Sequence, residues 1–199
     1  MPSITPHLWF DKEAEEAAGL YCSIFPNSRI LETRRYDDTG PSGTESVMTV
    51  TFEVEGQRVI GLNAGPHFKL DEAFSFFVEC ETQKEVDEYW DKLTADGGQE
   101  SQCGWLKDKF GLSWQIVPKL LDELLQDEDK DRANRVMQAM LQMKKIECEG
   151  AARGLRATGQ RIAEIREADE FLEAVSQDQR AAPEDLPVAV REGVSGFTG

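Results

Sequence analysis

Two stretches of the chain repeat one pattern: an apolar strand, then a helix with acids near its start, then several short strands. In each helix the apolar residues recur at the spacing i, i+3, i+4 and i+7, which buries one face of a helix. Each apolar position has a counterpart 69 residues later, as Ala17 has Val86. The sets are Ala17, Leu20, Tyr21 and Ile24 in the first helix and Val86, Tyr89, Trp90 and Leu93 in the second. We therefore predict an α+β fold built from two βαβββ modules related by pseudo-symmetry, with a site between them.

The part of the chain after the second module divides into a helical segment and a polar C-terminal extension. The first helix is expected to begin at Asp11, a favourable N-cap. After the second module, apolar residues again recur at helical spacing, and then the sequence turns polar and rich in Pro and Gly, which is typical of disorder. We predict one domain over residues 3–146, with modules at about 3–65 and 73–118 and helices at 119–146. A C-terminal extension follows at 147–199, with one helix at about 160–176.

The charge and the cysteines exclude several classes of protein. The formal net charge of −16 argues against binding nucleic acid or an anionic membrane, because both depend on a basic surface. No apolar run is long enough to span a membrane, and the N-terminus lacks the pattern of a secretory leader. The four cysteines are scattered without a C-x-x-C pair, which indicates reduced structural thiols. We expect a cytoplasmic protein.

Strand alternation selects the residues that would line a cup between the modules. Side chains in a strand point alternately to opposite faces, so the apolar Leu8 and Phe10 suit the helix-covered face of the first strand and their neighbours suit the cup. Neutral polar groups among aromatics favour a small, partly apolar ligand. His7 and His67 are the candidates for an acid/base role. The predicted ligand-binding residues are Thr5, His7, Trp9, Asn63, His67, Ser113 and Gln115.

Several segments together resemble one family. They include TPHLWFD at 5–11, SIFPNS at 23–28, GLNAGPH at 61–67, DKFGLSWQIVP at 108–118 and RVMQAM at 135–140. The chain is similar to the PhnB-like branch of the vicinal oxygen chelate superfamily, also labelled 3-demethylubiquinone-9 3-methyltransferase-like, over roughly residues 3–146. The resemblance implies a cup built by two βαβββ modules, pairing into a homodimer, and, in the superfamily's enzymes, a divalent metal held by the first and last strands of each module.

The metal ligands of the superfamily do not carry over to this sequence. The resemblance puts Gln115 where glyoxalase-like members have a Glu ligand, and Gly61, which has no side chain, at another carboxylate position. A catalytic divalent ion needs about three His or carboxylate ligands. We therefore expect no metal or other cofactor and disfavour glyoxalase I activity. The two histidine positions of the superfamily fall near Thr5 or Pro6 and near Phe74 or Ser75.

Three hypotheses about function stay open at this point. The first is a small-molecule-binding protein of unknown substrate, the second a divalent-metal enzyme that uses His7, His67 and Gln115 as ligands, and the third a non-catalytic protein that sequesters its ligand. The chain lacks the G-x-G turn of a Rossmann-type methyltransferase, so the methyltransferase label finds no support in the sequence.

A row of apolar residues on one face of a predicted helix after the second module gives a separate reason to expect a homodimer. Val136, Met137 and Met140 lie outside both modules and need an apolar partner. Packing of this stripe on its own domain, or under the helix at 160–176, is the alternative.

Overall fold

The first sheet has four strands in the order β1-β4-β3-β2. β1 runs parallel to β4, and the other pairs are antiparallel. The computed structural model describes residues 4–36 and 46–153 of the chain. In the first module the elements are β1 (His7–Phe10), α1 (Ala14–Ile24), β2 (Arg29–Arg35), β3 (Val47–Val54) and β4 (Gln57–Asn63).

The second sheet repeats this topology in the order β5-β8-β7-β6, with β5 parallel to β8. A short 3-10 turn at Ala95–Gly97 follows its helix. The elements are β5 (Ser75–Cys80), α2 (Gln83–Thr94), β6 (Gln99–Glu100), β7 (Trp105–Lys107) and β8 (Ser113–Pro118). The predicted α+β fold with paired βαβββ modules is thus confirmed.

Local sequence explains the turn between β3 and β4 and the cap of α2. Glu55 and Gly56 both have positive φ, 45° and 80°, as the two-residue turn between antiparallel strands requires. At the start of α2 the side chain of Thr82 accepts a hydrogen bond from the backbone N–H of Glu85, and the Glu85 carboxylate accepts one from the N–H of Glu81. These bonds satisfy donors that a helix start leaves unpaired.

The start of α1 differs from the prediction. The helix begins at Ala14, and the residue at its N-cap position, Glu13, makes no side-chain capping bond. Instead Asn63, at the end of β4, accepts a hydrogen bond through Oδ1 from the backbone N–H of Ala14 at 2.9 Å. The prediction that the helix begins at Asp11 is wrong because the cap comes from a distant strand.

The two modules meet through the helix-covered sides of their sheets. The ring of Tyr21 on α1 lies 5.2 Å from the ring of Trp114 on β8, and Phe25 stacks on the same indole at 5.4 Å. Phe10 contacts Phe110 at 6.3 Å in an edge arrangement. All but Phe110 are buried, so one apolar core joins the modules.

Three helices follow the second module: α3 (Lys119–Leu125), α4 (Lys130–Met140) and α5 (Cys148–Arg153). Val136 is fully buried in a cluster with Leu121, and Met140 packs against that cluster. Packing on its own domain therefore accounts for most of the α4 stripe, whereas Met137 stays 39% exposed. The predicted helix at about 160–176 lies outside the described residues. Among residues 4–36 and 46–153, no helix combines the length and the apolar character that crossing a bilayer demands.

Candidate functional site

The strand registers assign each predicted residue of the first module to a face of its sheet. His7 pairs with Ile60, and Trp9 pairs with Leu62, so these four share the face opposite α1. We call this the first open face. In β3, Thr49 pairs with Leu62 and Thr51 with Ile60, so both threonines lie on it too. The registers thus put His7 and Trp9 on the side of the sheet away from α1, and their role in binding stays a prediction.

Trp9 connects the first open face to the chain that links the two modules. Its indole Nε1 donates a 2.8 Å hydrogen bond to the carbonyl of Gly65, and its ring meets that of Phe68 edge-on at 4.9 Å. His67 lies between these two linker residues and is exposed. The structure therefore brings the loop of His67 beside Trp9. Thr5, just before β1, is partly buried.

Asn63 faces the other way, and the prediction that it lines the cup is wrong. It pairs with Phe10, whose side chain is buried in the core, and its amide holds the start of α1 and donates to the carbonyl of Val47 at 3.0 Å. Gly61 shares that side, since a Cβ there would lie 3.1 Å from the Cβ of Ala14. The neighbours of Gly61 on β4 that do point to the first open face are Ile60 and Leu62, and neither side chain can ligate a metal.

The second sheet has an equivalent open face. The registers place Ser75, Phe77, Ser113 and Gln115 together on the side opposite α2. The Gln115 amide donates to the Ser75 hydroxyl at 2.8 Å, and the buried Ser113 donates to the carbonyl of Asp71 at 3.4 Å. Both polar side chains are thus already bonded within the chain. Phe77 stands 57% exposed beside them. We call this the second open face.

A small pocket lies on the second open face. Its volume is about 120 Å³, and its lining includes Trp105, Lys107, Glu72 and Ser113. The ammonium group of Lys107 lies 2.5 Å from a carboxylate oxygen of Glu72, and this hydrogen bond lowers the pKa of Glu72. Ligand sites for organic molecules are usually about 300–1,000 Å³. The pocket is too small to enclose such a ligand within one chain.

The two open faces do not meet within one chain. The modules touch through the opposite, helix-covered sides, where Tyr21 and Phe25 contact Trp114. His7 and Gln115, which belong to different open faces, are therefore not brought together by the chain itself. Within residues 4–36 and 46–153, no three His, Cys, Asp or Glu side chains gather closely enough to hold a metal ion.

Asp108, in the turn before β8, was not identified from the sequence. Only 3% exposed, its carboxylate accepts hydrogen bonds from the Tyr21 hydroxyl at 2.8 Å, the Trp114 indole at 2.9 Å and the backbone N–H groups of Phe110 and Leu112. Burial raises the pKa of Asp108, and these bonds oppose that rise. Because the Tyr21 hydroxyl comes from the other module, Asp108 is a structural link between the modules. Its signal in the sequence is an acid in a short turn that lies between the aromatic residues Trp105 and Phe110.

The chain is similar to known proteins in sequence and in structure. The profile of the family described as 3-demethylubiquinone-9 3-methyltransferase matches residues 2–117. A putative 3-demethylubiquinone-9 3-methyltransferase, PhnB protein, from Bacillus cereus is 35% identical, with a TM-score of 0.54, and the match covers 59% of this chain and 99% of that chain. FosX, a fosfomycin resistance protein from Listeria monocytogenes, is 14% identical with a TM-score of 0.43, over 62% of this chain and 97% of that chain.

No curated protein matches the chain. The family profile nevertheless spans more than half of it, and the similar Bacillus cereus chain is covered almost completely. The chain belongs to the PhnB-like family described as 3-demethylubiquinone-9 3-methyltransferase.

Proposed function

We propose that the chain binds a small organic molecule between its open faces, in a cup that a second copy of the chain completes. The observation that carries this proposal is the apolar surface left on both faces. Phe77 is 57% exposed, and Trp9, Ile60 and Leu62 are only partly buried. Contiguous exposed apolar surface on a folded protein is typical of a binding or interaction site.

We infer a second copy because the described residues of one chain, 4–36 and 46–153, leave the two open faces apart. The two open faces lie on the far sides of the module contact, and the pocket on the second face holds only about 120 Å³. Placing the first open face of one copy against the second open face of another would bury both apolar surfaces. It would also surround a ligand with the aromatics and the neutral polar groups that favour binding.

Mutation of an exposed aromatic tests this arrangement. Phe77→Glu puts a charge on the second open face without touching the core, so we expect a folded monomer by size-exclusion chromatography with light scattering. Met137→Glu is the matched control, because Met137 is also exposed but lies on α4. Under the proposal it stays dimeric. A wild-type monomer, or a dimer that survives Phe77→Glu but dissociates with Met137→Glu, would refute the arrangement.

We infer that the site holds no resident catalytic metal, and the chemistry of the side chains supports this. Ile60 and Leu62 are apolar, and the Gln115 amide is bonded to Ser75. The rival hypothesis is a divalent-metal enzyme with His7, His67 and Gln115 as ligands. Elemental analysis of protein purified without chelator separates the two. We expect substoichiometric zinc, nickel, manganese and iron, whereas a full equivalent that disappears in His7→Ala or His67→Ala would support the rival.

Catalysis and sequestration differ in the role of His7, which is exposed on the first open face. If the bound molecule is a substrate, His7→Ala should remove turnover and leave binding in place. If the protein only sequesters its ligand, the wild type and His7→Ala should both bind it and release it unchanged. Mass spectrometry of the ligand recovered after incubation distinguishes these cases.

A further inference from the structure

The first open face is divided into an apolar part and a basic part. Trp9, Ile60 and Leu62 lie side by side on the neighbouring strands β1 and β4. Arg58 precedes Ile60 by two residues on β4 and so shares its face. Arg34 on β2 lies opposite Thr49 of β3, which in turn lies opposite Leu62 of β4. A molecule that covers this face would therefore touch apolar side chains at one part and guanidinium groups at another.

The arginines of this face are only partly neutralised. Arg34 pairs with Glu32 at 2.8 Å, and Arg29 pairs with Glu53 at 3.2 Å. Arg58 is exposed and lies within 4 Å of no carboxylate that the structure describes. Its register partner is Glu53, and its charge adds to that of Arg34 in lowering the pKa of Glu32, which lies opposite Thr51. Among the residues that the structure describes, this face carries three arginines and two glutamates, so it has one excess positive charge in a chain whose net charge is −16.

Hydroxyl groups lie between the two parts. Thr49 and Thr51 point to the same face from β3, next to Leu62 and Ile60. Thr51 is only 7% exposed, so it is held in place by its neighbours. A hydroxyl and an arginine are the groups that commonly bind carboxylate or phosphate oxygens, and the planar guanidinium can make two parallel bonds to such a group.

We propose that the first open face binds a small organic anion with an apolar body. The body packs on Trp9, Ile60 and Leu62, and the anionic group pairs with Arg58 beside Thr51. This inference rests on the proposed function and adds the chemical class of the ligand. The charge complementarity matters because an acidic protein repels anions over most of its surface, and a local basic site directs them to one place.

Two fluorescent probes separate the anionic group from the apolar body. The anion 8-anilino-1-naphthalenesulfonate and the neutral N-phenyl-1-naphthylamine share the same rings, and only the first carries a sulfonate. Each is titrated into the full chain, into Arg58→Gln and into Arg132→Gln. The last variant is the matched control, since it removes the same charge from α4, where Arg132 pairs with Asp129.

Arg58→Gln should raise the Kd of the sulfonate probe tenfold or more and leave that of the neutral probe within twofold. Arg132→Gln should change neither. The affinity of the wild type for the sulfonate probe should also fall with added salt, because the interaction is between charges.

Other outcomes would overturn the inference. An unchanged Kd of the sulfonate probe in Arg58→Gln would show that no anion binds there, and an equal loss for both probes would show that Arg58 only supports the face. A switch of Arg58→Gln to monomer in light scattering would make Arg58 a dimer contact instead. If neither probe binds the wild type, the proposed binding function fails as well.

Discussion

The link between Tyr21 and Asp108 makes a quantitative prediction about stability. Tyr21→Phe removes one hydroxyl and keeps the ring that contacts Trp114 and Phe52. The lost hydrogen bond, 2.8 Å long, ends on a carboxylate that is 3% exposed, and Tyr21 itself is fully buried. Hydrogen bonds to charged groups contribute about 1.5–3 kcal/mol, so the free energy of unfolding should fall by about 2 kcal/mol.

Equilibrium unfolding in urea measures this change. With an m-value of about 2 kcal/mol/M, the midpoint should fall by about 1 M while m stays constant. Tyr36→Phe is the matched control, because its hydroxyl donates to a neutral acceptor, the backbone carbonyl of Asn63, at 2.6 Å. That bond should contribute only about 1 kcal/mol. A loss for Tyr21→Phe that is no greater than the loss for Tyr36→Phe would refute the proposed role of Asp108.

Three further predictions concern the same fold. Burial raises the pKa of Asp108 above its ordinary 3.8, so the stability that this group contributes is present below that value and declines as pH rises through the higher folded pKa. The free energy of unfolding of the wild type, minus that of Asp108→Asn, should therefore be larger at pH 4 than at pH 7. A difference that grows toward neutral pH would contradict this. Asn63→Ala removes the cap of α1 and should cost about 1–2 kcal/mol in urea unfolding, whereas an unchanged midpoint would show that water replaces the cap. Cys80 is fully buried and burial raises the pKa of its thiol to about 12, so a disulfide reagent at pH 8 should label it only after unfolding, as peptide mass spectrometry would show; labelling of native protein would refute its burial.

The parts of the fold that the sequence predicted depend on local patterns. The stripes of both helices and the turn at Glu55–Gly56 follow from spacing and from backbone preferences within a few residues. The face of β1 was also predictable, because Leu8 and Phe10 alternate with polar or amphipathic neighbours. The same alternation is the basis for expecting His7 and Trp9 on the side away from the helix.

Asn63 was misassigned because its strand carries no clear alternation. Val59, Ile60 and Leu62 are apolar on both faces, so only the pairing of Asn63 with Phe10 fixes which way it points. That pairing joins residues far apart in the chain, and no local pattern encodes it. Gly61, which the resemblance put at a carboxylate position, faces Ala14 on the helix side, and this too is visible only in the structure.

The contact between the modules could not be predicted either. Duplicated modules can meet through their open faces or through their helix-covered faces, and the apolar stripe of α1 fits both. Here Tyr21 and Phe25 pack on Trp114 of the second sheet, which leaves the open faces apart. The basic part of the first open face, with Arg58 at its centre, becomes visible only when the strand registers are known.

Native mass spectrometry of the full chain, purified gently and without added ligand, tests the central claim most directly. The account predicts a mass of two chains plus a small organic molecule, and the loss of both the second chain and the added mass in Phe77→Glu. A wild-type monomer with no added mass, or a bound molecule that persists on monomeric Phe77→Glu, would contradict the claim that two copies complete the binding site.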